Sequence, residues 1–170
     1  MTDVPEMLII PAAGRGTRMR EVAAGAPKEM LPLGARPAIH WAVEEGMAAG
    51  IAHVVLVIRR EKEVIRRYFE DDGFAASLHP EAAADVARIR ARCRITFLYQ
   101  ETPTGEADAL ALAREHAGGG TIAVLYPDNF HLPPGGAFKG LLAARRETGL
   151  DCMGLMEMTA RNAPLFGNAG

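Results

Sequence analysis

The sequence has few of the features that mark secreted, metal-rich or membrane-spanning proteins. Its 170 residues include only two cysteines, Cys93 and Cys152, which lie far apart and form no CxxC pair. A disulfide framework or a zinc site is therefore not expected, and two reduced thiols fit a cytoplasmic protein. No apolar run approaches the roughly 20 residues that a membrane-spanning helix requires. The acidic residues 2–6 are unlike a secretory signal.

A strong charge of either sign is also absent. The 19 Lys and Arg residues are balanced by 21 Asp and Glu residues, for a net charge of −2. Broad nucleic-acid binding needs a basic face, so neither nucleic acid nor a membrane is expected as a partner. Because 49% of the residues are hydrophobic, the chain can bury a sizeable core, and we treat residues 1–170 as a single domain.

Short apolar runs alternate with amphipathic segments along the chain. The apolar runs predict strands at 7–10, 54–58, 95–99, 121–126 and 151–158. The amphipathic segments predict helices near 37–50, 61–69, from 80 onwards, 106–115 and 138–149, with a loop over 70–79. This order predicts an α/β fold with a doubly wound, mostly parallel Rossmann-like sheet. Ligands bind such sheets at the carboxyl ends of the strands.

The first predicted strand runs into a loop of small residues that contains Gly14 and Gly16. Both glycines can adopt a positive φ at little cost, and small residues let backbone N–H groups approach an anion. Arg18 and Lys28 add two cations. The segment has no Walker A pattern, and Met19 stands where GxGxxG would have its third glycine. The pattern therefore predicts a phosphate site outside those two loop classes.

Two longer motifs make the prediction more specific. The segment Ala12-Ala13-Gly14-Arg15-Gly16-Thr17-Arg18, followed by Pro27-Lys28-Glu29-Met30-Leu31-Pro32, resembles the sugar nucleotidyltransferases, the NDP-sugar pyrophosphorylases. It is most similar to the bacterial UTP–glucose-1-phosphate uridylyltransferases. Shorter matches follow at 37–39, 43–45, 100–105 and 127–129 and extend the resemblance over nearly the whole chain. The resemblance implies transfer of a nucleoside monophosphate from a nucleoside triphosphate, with UTP favoured, to a sugar 1-phosphate, with glucose 1-phosphate favoured, and release of pyrophosphate.

The resemblance also implies a role for each matched residue. Arg18 and Lys28 are the expected catalytic cations, with Arg18 on the β- and γ-phosphates and Lys28 on the α-phosphate. Asp128, in a turn after a predicted strand, is the expected Mg²⁺ ligand, and Mg²⁺ prefers oxygen ligands. The nucleotide-binding residues are expected to be Ala13, Gly14, Gly16, Thr17, Gln100 and Gly105. The Gln100 amide has the donor and acceptor needed to read a pyrimidine edge.

Several departures from the family pattern leave alternatives open. Asn129 is familiar from thymidylyltransferases, so dTTP is an alternative substrate. Ala107 and Asp108 replace the second glycine and the histidine of GxGHA. The expected sugar-binding half, with its Glu-Lys-Pro lysine and second metal aspartate, is missing. The remaining alternatives are a cytidylyl- or molybdopterin-type transferase and a catalytically incomplete, nucleotide-binding regulatory or assembly module. A homo-oligomer also fits the resemblance, but no interface is fixed.

Overall fold

A four-stranded parallel sheet forms the centre of the protein. The computed structural model describes residues 4–15, 25–102, 105–129 and 135–155. The strands of the central sheet are β1 (Met7–Pro11), β4 (His53–Ile58), β5 (Arg94–Tyr99) and β6 (Ile122–Val124), and β2 (Pro32–Leu33) and β3 (Arg36–Pro37) form a separate antiparallel hairpin. The central order is β5-β4-β1-β6. Leu8 is paired with Val54 on one side and with Ala123 on the other, which makes β1 an interior strand.

Helices cover both faces of this sheet. They are α1 (Ala38–Ala48), α2 (Glu63–Glu70), α3 (Asp72–Leu78), α4 (Ala82–Arg92), α5 (Glu106–Ala113) and α6 (Gly136–Thr148). Leu8 and Leu56 belong to a core that includes residues of α1, α2, α4 and α6. Ile9 and Val55, which point the other way because side chains alternate along a strand, pack with residues of α5. The doubly wound parallel fold is thereby confirmed.

Two predicted features are wrong. Residues 72–78, assigned to a loop, form α3, and the Asp71 carboxylate caps this helix by accepting a hydrogen bond from Phe74 N at 2.9 Å. The last predicted strand does not form over residues 151–155, which are exposed and without regular structure; residues 156–158 lie outside the described part of the chain. The β2–β3 hairpin was not predicted at all, because its two-residue strands are too short to show an alternating pattern.

Helix α1 packs against the Leu8 side chain of β1 at Gly46. A Cβ atom placed on Gly46 would lie 2.5 Å from Cδ2 of Leu8, so a larger residue there would require the Leu8 side chain to shift. Trp41, in the same helix, donates its indole N–H to Leu33 O at 2.9 Å and attaches the hairpin to α1.

A polar network that runs from the buried His40 and Tyr68 to the surface joins α1 to the helices beside it. The Tyr68 hydroxyl oxygen, on α2, lies 2.9 Å from Nδ1 of His40, and Nε2 of His40 lies 3.6 Å from the Glu44 carboxylate. Arg88 of α4 donates to the same carboxylate at 2.5 Å. Hydrogen bonding to His40, and then to Arg88, lowers the pKa of Glu44 to about 2 against the opposing effect of burial.

The described residues include no helix that is long and apolar enough to cross a membrane.

Candidate functional site

The predicted site residues that the structure describes lie at the carboxyl edge of the central sheet, after β1, β5 and β6. Ala12 N donates to Val57 O at 2.8 Å, so β1 stays paired up to the small-residue loop. Gln100 N donates to Ile58 O at 2.9 Å directly after β5. Asp128 lies in the turn that follows β6. Three segments far apart in sequence therefore meet at one edge of the sheet.

The small-residue loop leaves open space at Gly14. Ala12 and Ala13 are buried, whereas Gly14 is exposed, and a Cβ atom placed on it would meet no atom of the described chain within 4 Å. Seven other glycines of the described chain adopt a positive φ, but Gly14 does not use this freedom. Its value at this point is the space it leaves for a ligand. Gly16, Thr17 and Arg18 lie outside the described residues.

Lys28 and Asp128 form an ion pair at this edge. Lys28 Nζ lies 2.5 Å from Asp128 Oδ2, with 23% and 55% of the two side chains exposed. Lys28 begins a 3₁₀ turn (Lys28–Met30), in which Met30 N donates to Pro27 O at 2.8 Å. The structure thus places the lysine expected to contact phosphate directly against the carboxylate expected to hold a metal. An incoming phosphate and an incoming cation would each have a partner already in place.

A second, buried ion pair lies behind this one, and the sequence analysis did not predict it. Lys62, at the end of the 3₁₀ turn Arg60–Lys62 after β4, places its ammonium 2.9 and 2.8 Å from the two carboxylate oxygens of Glu29. The same ammonium donates to Ala12 O at 2.7 Å. Both side chains are buried, and desolvation lowers the pKa of Lys62 although Glu29 opposes the shift. Lys62 follows a strand end and belongs to no recognised motif, so the sequence alone does not mark it as a site residue.

Gln100 holds its own loop closed. It is buried, and its Nε2 donates to Gly105 O at 2.9 Å. Gly105 has φ +133° and open space around it, a conformation that is essentially restricted to glycine. Gln100 also lines an open cavity of about 520 Å³ whose wall includes Asp108, one of the residues that depart from the family pattern.

Tyr126 and Glu106 place two further polar groups near the site, and neither was predicted. Tyr126 comes two residues before Asp128, and Glu106 follows Gly105. Burial, together with hydrogen bonding to the Glu106 carboxylate, raises the pKa of Tyr126 to about 12. The neutral phenol therefore joins the start of α5 to the turn that carries Asp128.

Asp128 is a solitary carboxylate. Within the described residues, no group of three His, Cys, Asp or Glu side chains could enclose a metal ion. Mg²⁺ is commonly held by one or two carboxylates together with substrate phosphates and water, so one exposed aspartate fits a cation that arrives with its substrate. A closed structural metal site does not fit this part of the chain.

Known proteins share both the sequence and the fold. A UTP–glucose-1-phosphate uridylyltransferase from Staphylococcus saprophyticus is 30% identical over 164 residues, which cover 94% of this chain and 57% of that protein. A UDP-glucose pyrophosphorylase solved in complex with UDP-glucose superposes with a TM-score of 0.70 at 27% identity, over 85% of this chain and 54% of that one. A UTP-bound UGPase from Acinetobacter baumannii superposes with a TM-score of 0.70 at 26% identity, also over 85% of this chain and 54% of that one.

These matches extend over only part of each known protein. The chain spans about half the length of the curated relatives and solved structures that it matches. The family model described as "Nucleotidyl transferase", however, matches residues 7–168, from the first strand to near the end of the sequence. Together with the parallel sheet and the small-residue loop at its carboxyl edge, this match shows that the chain belongs to the nucleotidyl transferase family.

Proposed function

We propose that this chain is the nucleotide-binding portion of an enzyme that transfers UMP from UTP to a sugar 1-phosphate, with glucose 1-phosphate favoured. The observation that carries the proposal is the contact between Lys28 and Asp128, beside the open space at Gly14. It supplies a cation for phosphate and a carboxylate for Mg²⁺ at the edge where parallel sheets bind ligands. The names of the relatives support UTP and a glucosyl product.

The proposed reaction makes one P–O bond and breaks another. A phosphate oxygen of the sugar 1-phosphate attacks the α-phosphorus of UTP, and the bond from that phosphorus to the bridging oxygen breaks, so pyrophosphate leaves with the electron pair. The attacking phosphate is already ionised, so no strong base is required. The protein positions the reactants and neutralises charge. Lys28 would contact the α-phosphate and Arg18 the departing phosphates, and loss of one such contact typically costs about 10²–10³ in rate.

Nucleotidyltransferases commonly use a divalent metal, and we propose Mg²⁺ at Asp128. Bound there, the ion would supply positive charge to the phosphate oxygens. Asp128 is more than half exposed, and its side chain can therefore reach a cation carried by the nucleotide. Before the nucleotide arrives, the Asp128 carboxylate also holds Lys28 at the place where we propose that the phosphates bind.

We further propose that the nucleobase is read by the loop between Gln100 and Gly105, together with the backbone of Ala13 and Gly14. One N–H of the Gln100 amide is bonded to Gly105 O. The second N–H and Oε1 are the groups we propose to contact a pyrimidine edge. The gap left by hydrogen at Gly14 would let the base and ribose approach the loop closely.

Calorimetric titration with UTP, dTTP, CTP, GTP and ATP, each with and without Mg²⁺, tests this proposal. UTP is expected to bind best, Gln100→Ala to remove the base preference, and Lys28→Ala to weaken every nucleotide. Lys139→Ala removes an exposed lysine of α6 that the proposed site does not use and is the matched control. A preference for dTTP would support the thymidylyltransferase alternative suggested by Asn129. Failure to bind any nucleotide would contradict the proposal and favour the assembly-module alternative.

A further inference from the structure

Lys62 carries a buried charge that the proposed reaction does not use. Its ammonium has three N–H groups, and three oxygens lie within 2.9 Å of the nitrogen: Ala12 O and the two carboxylate oxygens of Glu29. Each donor therefore has an acceptor inside the protein. A lysine bonded in this way has no remaining N–H for a phosphate, so Lys62 does not contact the substrate directly.

The burial of this pair indicates a role beyond stability. Taking both charges out of water is costly, and apolar side chains of similar size often stabilise such a position equally well. Only 1% of the Glu29 side chain and 10% of the Lys62 side chain are exposed. What an apolar pair could not reproduce is the third bond, from the ammonium to the backbone oxygen of Ala12.

That third bond joins the two segments of the proposed phosphate site. Ala12 immediately precedes Ala13 and Gly14, and Glu29 immediately follows Lys28 in the same 3₁₀ turn. We propose that Lys62 and Glu29 are positioning residues that set the distance between the Gly14 loop and Lys28. The inference rests on the proposed function, since it assigns the phosphate site to these two segments. Misplacement by about 1 Å of a group that orients a substrate can cost about 10²-fold in rate.

Three variants separate positioning from simple support of the fold. Lys62→Met removes the ammonium and leaves the Glu29 carboxylate buried without its partner. The double variant Lys62→Met/Glu29→Met replaces the pair by apolar side chains but still lacks the bond to Ala12. Arg90→Met is the matched control, because Arg90 also bonds a carboxylate (Asp72, 2.6 Å) and a backbone oxygen (Phe69, 2.9 Å), but between α4 and the α2–α3 segment.

The readouts are the unfolding midpoint, the UTP–Mg²⁺ dissociation constant, and amide hydrogen exchange of the ligand-free protein. In wild type, the amides of Ala12 and Met30 are hydrogen-bonded and should exchange slowly. Lys62→Met is expected to lower the midpoint, to speed exchange at both amides, and to weaken UTP binding about 10- to 100-fold. The double variant should recover the midpoint but neither the exchange protection nor the affinity, whereas Arg90→Met should change the midpoint alone.

Two results would overturn the inference. One is a double variant that regains wild-type exchange and affinity along with its midpoint, since the pair would then only support the fold. The other is wild-type affinity in Lys62→Met. Absence of UTP binding by the wild-type chain would contradict the proposed function instead, and the exchange of Ala12 and Met30 would still decide whether Lys62 couples the two segments.

Discussion

Lys28 and Asp128 are 100 residues apart in the sequence, and their charged atoms lie 2.5 Å apart in the folded chain. Lys28 belongs to the segment after β1, and Asp128 to the turn after β6, the strand that pairs directly with β1. Adjacent parallel strands therefore produce the contact. Each residue neutralises the other while no nucleotide is bound, so charged ligands must compete for a pair that already exists.

This competition predicts how the chain alone binds a divalent cation. Lys28→Met should tighten Mn²⁺ or Mg²⁺ binding about three- to fivefold, because an exposed ion pair contributes up to about 1 kcal/mol. Asp128→Asn should abolish the same binding. Titration of the ligand-free protein with Mn²⁺, followed by electron paramagnetic resonance, measures both effects. Equal affinity in wild type and Asp128→Asn would show that the cation binds elsewhere.

Gly105 is predicted to matter for nucleotide binding as well as stability. Its φ of +133° with an extended ψ is nearly closed to other residues, so Gly105→Ala should cost about 1–3 kcal/mol and displace the oxygen that Gln100 holds. Gly149→Ala is the control, because Gly149 also has a positive φ, at the end of α6. Denaturant unfolding should show a loss in both variants, and calorimetry a weaker UTP affinity only in Gly105→Ala. Unchanged affinity would separate this loop from the nucleotide site.

The contact between Gly46 of α1 and Leu8 of β1 predicts a cost for one added methyl group. Gly46→Ala would push against the buried Leu8 side chain and should reduce the free energy of unfolding by about 1–3 kcal/mol. Gly140→Ala, at an exposed position of α6 with no atom within 4 Å of the added carbon, should instead increase the free energy of unfolding by about 0.5–1 kcal/mol. Urea unfolding of the two variants measures this difference in sign. A stabilised Gly46→Ala protein would show that the helix can move away.

Glu44 is predicted to make stability depend on pH in the acid range. Its pKa falls from an ordinary 4.5 to about 2 on folding, so its contribution is complete above about pH 4.5 and is lost as the pH falls towards 2. Glu44→Gln should lower the free energy of unfolding at pH 7 by about 2 kcal/mol and flatten the decline between pH 5 and pH 2. Glu70→Gln, which removes an exposed carboxylate from an ion pair within α2, should change the free energy of unfolding by less than about 0.5 kcal/mol. Parallel acid profiles in wild type and Glu44→Gln would contradict the assignment.

The sheet and its ligand edge could be predicted from the sequence because their signal is local. The strand around Val55 is a continuous apolar run rich in β-branched residues, typical of a strand buried on both faces, and α1 shows apolar residues at helical spacing. Helix α3 was missed since Ala75 is its only fully buried residue. Its packing depends on neighbours such as Arg67, whose guanidinium lies 4.4 Å from the Phe74 ring centre.

The site was predictable in composition but not in its contacts. Small residues after β1 and an aspartate after β6 follow from the motif and from strand order, and the structure has them at one edge of the sheet. The bond between Lys28 and Asp128, and the buried pair of Lys62 with Glu29, depend on side-chain reach across segments 100 and 33 residues apart. No periodicity or spacing rule reports such distances.

The interior position of β1 has a consequence for how the protein is made. Its two neighbours, β4 and β6, are synthesised at different times, and β6 leaves the ribosome long after β1. At about 5–20 residues per second, Lys28 waits about 5–20 s for Asp128 to be synthesised. Throughout that interval one edge of β1 is open to any other strand. The side of β1 that later pairs with β6 is therefore open to mispairing during synthesis, and a chaperone that covered it would protect the strand on which the site depends.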